Sequence, residues 1–293
     1  LPPEEYVQLL KSEIAAYQSS FQLSAKQKTV NTVYFGGGTP SLLEPELIVS
    51  ILSSLANHGF SFADNVEKTI EINPATITEN KMEQYLSAGI NRFSVGAQSF
   101  NDRLLKSVHR EHNAEQTRAT LELLKSYKVN FSFDVLFALP GQTLADLETD
   151  LNEVEIFQPD HVSPYCLTVN ESHPLAKLRL NEDLQIEMFQ LIARRLREMG
   201  YEQYEISNFA KPGKLSRHNY LYWDNSDYWG IGLSSHSYSR QSPWGIRYWN
   251  HSNIQDYKSW VESIQGQHFS SPTEGRPAEN YELLLGNQAL TDF

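Results

Sequence analysis

The chain has 293 residues, 40% hydrophobic and 20% charged, with a formal net charge of −12 at pH 7; that length suits one large α/β domain with an appendage, or two modest domains. Such an acidic balance speaks against a general nucleic-acid-binding surface, and the single cysteine, Cys166, excludes an internal disulfide and a cysteine-only metal site within the chain. No apolar run reaches the length of a membrane span and no signal peptide is visible, so the cytoplasm is the expected location.

Leu1 to Tyr17 reads as a helix. Pro2, Pro3, Glu4 and Glu5 suit a first turn, and Tyr6, Leu9, Leu10, Ile14 and Tyr17 recur at helical spacing. Thr29 to Phe35 is a strand that runs straight into Gly36-Gly37-Gly38-Thr39-Pro40. Three successive residues without a Cβ leave bare backbone amides and carbonyls at a strand's carboxyl end, where α/β proteins seat ligands. On the glycines alone, a flexible turn is an equal reading. Glu44 to Leu55 is a helix, and Val66 to Ile72 a second strand stopped by Asn73-Pro74. Thr78 can cap a helix that runs to Ala88.

Ile90 to Ala97 is the third strand, with Gln98 and Ser99 at its end, and Asn113 can cap a helix from Ala114 to Tyr127. Val129 to Leu139 is the fourth strand. Its alternation puts Phe131, Phe133 and Val135 on one face and Ser132, Asp134 and Leu136 on the other. A helix follows from Thr143 to Phe157, then a fifth strand from His161 to Leu167. The βα rhythm, with a period of roughly 30 residues, marks parallel units in a barrel or open sheet. Five strands are too few for an eight-stranded barrel, so an open or partial barrel is expected.

After Val169 the rhythm changes. Asp183 to Met199 is an amphipathic helix, and Tyr201 to Phe209 is predicted as one more strand. Leu215 to Trp249 is aromatic and polar without a period, carrying Tyr220, Tyr222, Trp223, Tyr228, Trp229 and Trp244, with His218, His236 and nearby His251. The shift sets an expected boundary near Glu171, giving domains 1–170 and 171–293. The tail from Ser270 carries one short helical signal, Asn280 to Leu285, and too little core to stand alone. It is expected to continue into a further small domain in a longer protein.

Glu71, Gln98 and Asp134 each sit at the carboxyl end of a predicted strand. Asp134 lies between large apolar residues, where an unpaired charge is costly. Two carboxylates and an amide around bare glycine backbone suit a ligand bearing an amine, a ribose or both, and Arg110 can meet a carboxylate by a bidentate contact. Taken singly, each of these residues reads equally as a cap or a structural hydrogen bond.

Four motifs occur together and in order: Gly36-Gly37-Gly38-Thr39-Pro40, Glu71-Ile72-Asn73-Pro74, Phe93-Ser94-Val95-Gly96-Ala97-Gln98-Ser99-Phe100, and Asp134-Val135-Leu136-Phe137-Ala138-Leu139-Pro140-Gly141. From Pro3 to about Trp249 the chain resembles the radical S-adenosylmethionine proteins of the oxygen-independent coproporphyrinogen III oxidase type. The resemblance implies a partial (β/α) TIM-like barrel with a mixed, aromatic-rich C-terminal region. It also implies that the Gly36, Gly37, Gly38 and Thr39 backbone binds the methionine amine of S-adenosylmethionine, with Glu71, Gln98, Arg110 and Asp134 holding the cofactor. Cys166 falls where the family places a small residue beside the adenosine; on chemistry alone it reads as a small buried hydrophobe.

Members of this family hold a [4Fe–4S] cluster with three cysteines spaced Cys-x3-Cys-x2-Cys, and this chain has no such triplet. The expectation is that the first strand and cluster loop are missing ahead of Leu1, and that the chain by itself does not cleave S-adenosylmethionine. His218-Asn219-Tyr220-Leu221-Tyr222-Trp223 resembles the His-Asn-x-x-Tyr-Trp motif of the family's heme chaperone branch. That implies heme binding, with His218 as the iron ligand, and respiratory heme enzymes as clients. An imidazole can ligate heme iron and aromatic rings can cover a porphyrin face, although an aromatic structural core with hydrogen-bonded histidines fits the same residues. The competing readings are coproporphyrinogen III dehydrogenation by radical oxidative decarboxylation, and an unrelated barrel enzyme using Glu71 and Asp134 as acid and base.

Overall fold

The computed structural model describes residues 1–18, 29–240 and 245–283, so Trp244 and the end of the expected tail helix, 284–285, lie outside the described residues. Seven strands form one sheet: β1 (Thr29–Phe35), β2 (Ser61–Ile72), β3 (Arg92–Gln98), β4 (Asn130–Phe137), β5 (His161–Cys166), β6 (Glu202–Glu205) and β7 (Asn208–Ala210). Their order is β1-β2-β3-β4-β5-β7-β6, with β2 through β5 mutually parallel. This is the open, part-barrel sheet expected from the βα rhythm. A second, three-stranded sheet has the order β10-β9-β8, from β8 (His236–Ser239), β9 (Ile246–Trp249) and β10 (Tyr281–Leu283).

The α-helices are α1 (Pro3–Tyr17), α2 (Pro45–Asn57), α3 (Glu79–Ser87), α4 (Asp102–Ser107), α5 (Ala114–Ser126), α6 (Leu144–Phe157), α7 (Glu182–Glu198), α8 (Arg217–Trp223) and α9 (Ile254–Ile264). Local chemistry sets several of their starts. The Thr78 side chain accepts from the Lys81 amide, and Asn113 with Gln116 and Thr143 with Asp146 form reciprocal capping boxes. Asn253 accepts from the amides of Gln255 and Asp256 to open α9. A single such cap contributes about 1 kcal/mol.

Two expectations need correcting. Tyr201 to Phe209 is not one strand but the hairpin β6–β7, because the chain turns at Ile206-Ser207 and β7 pairs antiparallel with both β6 and β5. The tail signal from Asn280 is not a helix. After a 3₁₀ turn at Ala278–Asn280 the chain extends, and Tyr281, Glu282 and Leu283 pair antiparallel with Tyr248, Arg247 and Ile246.

The chain divides into two compact units. One comprises Leu1–Thr32, Leu43–Val66 and His218–Phe293; the other comprises Val33–Leu42 and Glu67–Arg217, so the expected boundary near Glu171 falls inside the second unit. In the first unit, Leu9, Ala16 and Tyr17 of α1 pack with Tyr257, Trp260, Val261 and Ile264 of α9 and with Phe269. In the second, Ile70, Ile72, Phe93, Val95, Phe133, Val135 and Val162 are fully buried on one face of the parallel strands. Each such side chain contributes roughly 1.5–3 kcal/mol of burial. The opposite face carries Glu71, Ser94, Ser132, Asp134 and Ser163, with Leu136 and Tyr165 further along.

Candidate functional site

Alternation and register decide which polar side chains meet. Glu71 pairs with Ser94 across β2–β3, Ser94 with Ser132 across β3–β4, and Asp134 with Ser163 across β4–β5. All therefore share the face opposite Phe93, Phe133 and Val162. At the carboxyl end of these strands lies a cleft of about 200 Å³ that brings together Gly38, Thr39, Glu71, Gln98, Arg110 and Asp134. All six were singled out from the sequence. Asn73, Ser94 and Gly96 also line it. They were missed as site residues although they lie within the quoted motifs, and their place on the polar face of β2 and β3 was the available signal.

The glycine loop is shaped by conformation. Gly37 and Gly38 have φ of +79° and +61°, with nothing within 4 Å of an added Cβ, so backbone sterics rather than crowding demand glycine there. The Gly37 amide donates to Glu71 Oε2 at 3.0 Å, and the Tyr34 hydroxyl donates to Glu71 Oε1 at 2.7 Å. Gly36 and Gly37 thus belong to the site through Glu71.

Gln98 is aimed by a break in the ladder. The β3–β4 register shifts between Val95 and Gln98, and Gln98 has φ +66°, a sparsely populated conformation for a side-chain-bearing residue. The turn that follows is clamped by Asp150 of α6, fully buried, which accepts from the Phe100 amide at 2.6 Å and from Ser99 Oγ at 3.0 Å. Burial pushes the Asp150 carboxyl up to about 7 despite those donors.

Asp134 is also pushed up to about 7, first by burial and then by the neighbouring Glu71 charge; the Ser163 hydroxyl, Arg110 and Arg92 pull the other way. With two carboxylates and one arginine, the cleft is short of positive charge. Its chemistry suits a ligand carrying a cationic centre for Asp134 and Glu71 and an anionic group for Arg110.

Two predicted residues lie elsewhere. Cys166 pairs with Phe137 in the β4–β5 register, which turns its side chain to the apolar face, and Sγ meets Gln185 Oε1 of α7 at 3.4 Å. Burial raises its thiol. It is brought to the strand end, but its side chain does not line the cleft. His218, on α8 in the first unit, has Nδ1 2.9 Å from Thr32 Oγ1 and Nε2 3.1 Å from the Tyr222 hydroxyl. The Tyr222 ring stands edge-on to it, with centroids 5.6 Å apart. Burial lowers the His218 pKa to about 4, so the ring is neutral at ordinary pH.

A family model described as the radical SAM superfamily matches residues 15–154. The heme chaperone HemW of Buchnera aphidicola subsp. Schizaphis graminum (strain Sg) is 33% identical over 261 residues, covering 88% of this chain and 68% of that protein. HemW of Haemophilus influenzae (strain ATCC 51907 / DSM 11121 / KW20 / Rd) is 36% identical over 241 residues, covering 80% and 62%. The chain belongs to the HemW family of radical SAM proteins. It spans about two thirds of the length of these relatives. The solved structure of coproporphyrinogen III oxidase (HemN) from Escherichia coli superposes with a TM-score of 0.73 at 22% identity, over 90% of this chain and 63% of that one, which bears on the fold.

The family implies S-adenosylmethionine and a [4Fe–4S] cluster. The cleft fits the first: Asp134 and Glu71 line it with Arg110 as the one cation among its lining residues, and the backbone at Gly37 and Gly38 is open, with nothing within 4 Å of an added Cβ. The residues of this chain do not fit the second. Cys166 is the single cysteine, and the described residues hold no group of three or more His, Cys, Asp or Glu that could bind a metal ion.

Proposed function

We propose that the protein binds heme and passes it to respiratory heme enzymes, with S-adenosylmethionine seated in the β2–β4 cleft. The observation that carries this reading is the similarity to heme chaperones of the HemW family over 80–88% of the chain. In the cleft, the Gly36–Thr39 backbone takes the cofactor's amine, Glu71 and Asp134 face its positive charge, Gln98 bonds its polar edge, and Arg110 meets its carboxylate. Bound there, S-adenosylmethionine would serve binding or regulation, and redox chemistry only together with a [4Fe–4S] cluster, whose ligands the described residues do not supply. Among the described residues no helix is long and apolar enough to cross a membrane.

His218 is the heme ligand in this proposal. A neutral imidazole is the form that coordinates iron, and burial already holds the ring neutral. Both nitrogens are engaged by hydroxyl groups, so ligation requires one of them, Tyr222 or Thr32, to swing away. A hemin titration of the natural gene product, followed by its Soret band, tests this. Saturable binding is expected for the wild type and its loss for His218→Ala, with unchanged folding. Tyr222→Phe removes the competitor for Nε2 and is expected to tighten binding about fivefold. Binding indifferent to His218 removes it as the ligand, and absence of binding in the wild type removes the chaperone reading.

A further inference from the structure

Tyr34 lies two residues before the glycine loop, is 36% exposed, and reaches the cleft through Glu71, which lines it. The hydroxyl donates to Glu71 Oε1 at 2.7 Å, while the second carboxylate oxygen takes the Gly37 amide at 3.0 Å. Glu71 is therefore held from both sides, by a phenol and by the loop itself. Gly36 explains how the ring reaches this position. A Cβ on residue 36 would sit 2.5 Å from Tyr34 Cε1 and 2.9 Å from Glu71 Oε1, so the bare backbone lets the ring and the carboxylate pack over the loop. Desolvation, and after it the neighbouring charges of Glu71 and Asp134, drive the phenol well above its ordinary pKa. Tyr34 therefore stays a donor across the working pH range.

We propose that Tyr34 is a positioning residue for S-adenosylmethionine: it acts through Glu71, fixing that carboxylate and with it the glycine loop in the geometry that receives the cofactor's amino-acid end. The proposal rests on the reading of the cleft as the S-adenosylmethionine site and adds to it a residue that does not itself contact the cofactor. The physical reason is preorganisation. A carboxylate bonded to two fixed donors loses little freedom when a cation arrives, whereas one held by the Gly37 amide alone must be ordered at the moment of binding. A glutamate side chain has enough rotamers for that cost to be felt.

The test is a double-mutant cycle on the natural gene product, purified anaerobically with its iron and sulfide assayed. Equilibrium dialysis against S-adenosylmethionine is run for the wild type, Tyr34→Phe, Glu71→Gln and the double variant. Tyr34→Phe is expected to weaken binding about tenfold, the cost of ordering Glu71 at the moment of binding, with the far-UV spectrum unchanged and the variant still folded at the assay temperature. In the Glu71→Gln background the same Tyr34→Phe change is expected to have no further effect, because a neutral amide no longer attracts the cofactor's cation wherever Tyr34 holds it. Hemin binding by Tyr34→Phe is expected to match the wild type.

Affinity of Tyr34→Phe within twofold of a wild type that binds S-adenosylmethionine overturns the inference and leaves the site reading standing. Additive effects of the two substitutions also overturn it, since they would make Tyr34 an independent contact or a general stabiliser. A wild type that binds no S-adenosylmethionine removes the site reading and the inference together.

Discussion

Asp134 shows how one side chain trades stability for binding. Its folded carboxyl holds its proton up to about pH 7, while the ordinary value is 3.8. Between those values the folded state keeps a proton that the unfolded state has released, so stability falls as pH rises, and above 7 the penalty is constant. Asp134→Asn removes the penalty. The variant is expected to be more stable than the wild type at pH 8, on the order of 2 kcal/mol, and equal to it below pH 4. It is also expected to bind S-adenosylmethionine more weakly, because the charge that opposes folding is the one that meets the cation. Thermal midpoints across pH, beside ligand affinity, check both halves; equal midpoints at pH 8 would show that the carboxyl is solvated. Asp134 was legible because the alternation that buries Phe131, Phe133 and Val135 puts a charge on the opposite face of a largely apolar strand. Tyr34 was not legible, because an aromatic at a strand position reads as an ordinary strand former. Its partner, Glu71, lies on another strand.

At the level of elements, the parallel strands and their helices were readable because period-2 runs, caps and prolines agree with one another locally. Where the agreement is absent, the reading failed. The β6–β7 hairpin turns at Ile206-Ser207 without glycine or proline, so only the weaker turn signal of Ser207-Asn208 marks the reversal. Helix α9 falls between the aromatic stretch that ends at Trp249 and the tail from Ser270 and was overlooked, although Asn253 as a cap and the spacing of Tyr257, Trp260, Val261 and Ile264 were present. The break in β3 is set by a long-range clamp. Asp150 on α6 holds Ser99 and Phe100, and thereby the left-handed backbone at Gln98. Asp150→Ala leaves a buried amide and hydroxyl without an acceptor, which is expected to cost about 3 kcal/mol in urea unfolding. Ligand affinity is expected to fall with it, because Gln98 loses its fixed aim. A variant that is destabilised yet binds with full affinity would show that the turn holds its own shape.

At the scale of the whole chain, the first unit closes by joining the two ends of the sequence. Glu13 of α1, fully buried, accepts from the Gly232 amide at 3.0 Å, from Asn250 Nδ2 at 2.8 Å and from the Tyr257 hydroxyl at 2.8 Å. Arg276 supplies the counter-charge at 3.6 Å, bonds Asn250 Oδ1, and places its guanidinium 4.7 to 5.0 Å from the ring centres of Tyr17, Trp260 and Tyr248. Burial raises the Glu13 carboxyl, and Arg276 is the largest influence drawing it back. None of this is visible locally, since Glu13 reads as a polar position of a first helix and Arg276 as one cation in a turn-rich tail. A buried pair with one member removed leaves a charge without compensation, whereas removing both does not. Arg276→Met is therefore expected to destabilise the chain by about 3 kcal/mol, and Glu13→Gln combined with it to recover much of that loss. Urea unfolding of the single and double variants decides the point. If the double variant is as unstable as the sum of the singles, the pair is incidental, and the contact of α1 with the tail rests on the packing of Tyr17, Trp260 and Phe269 alone.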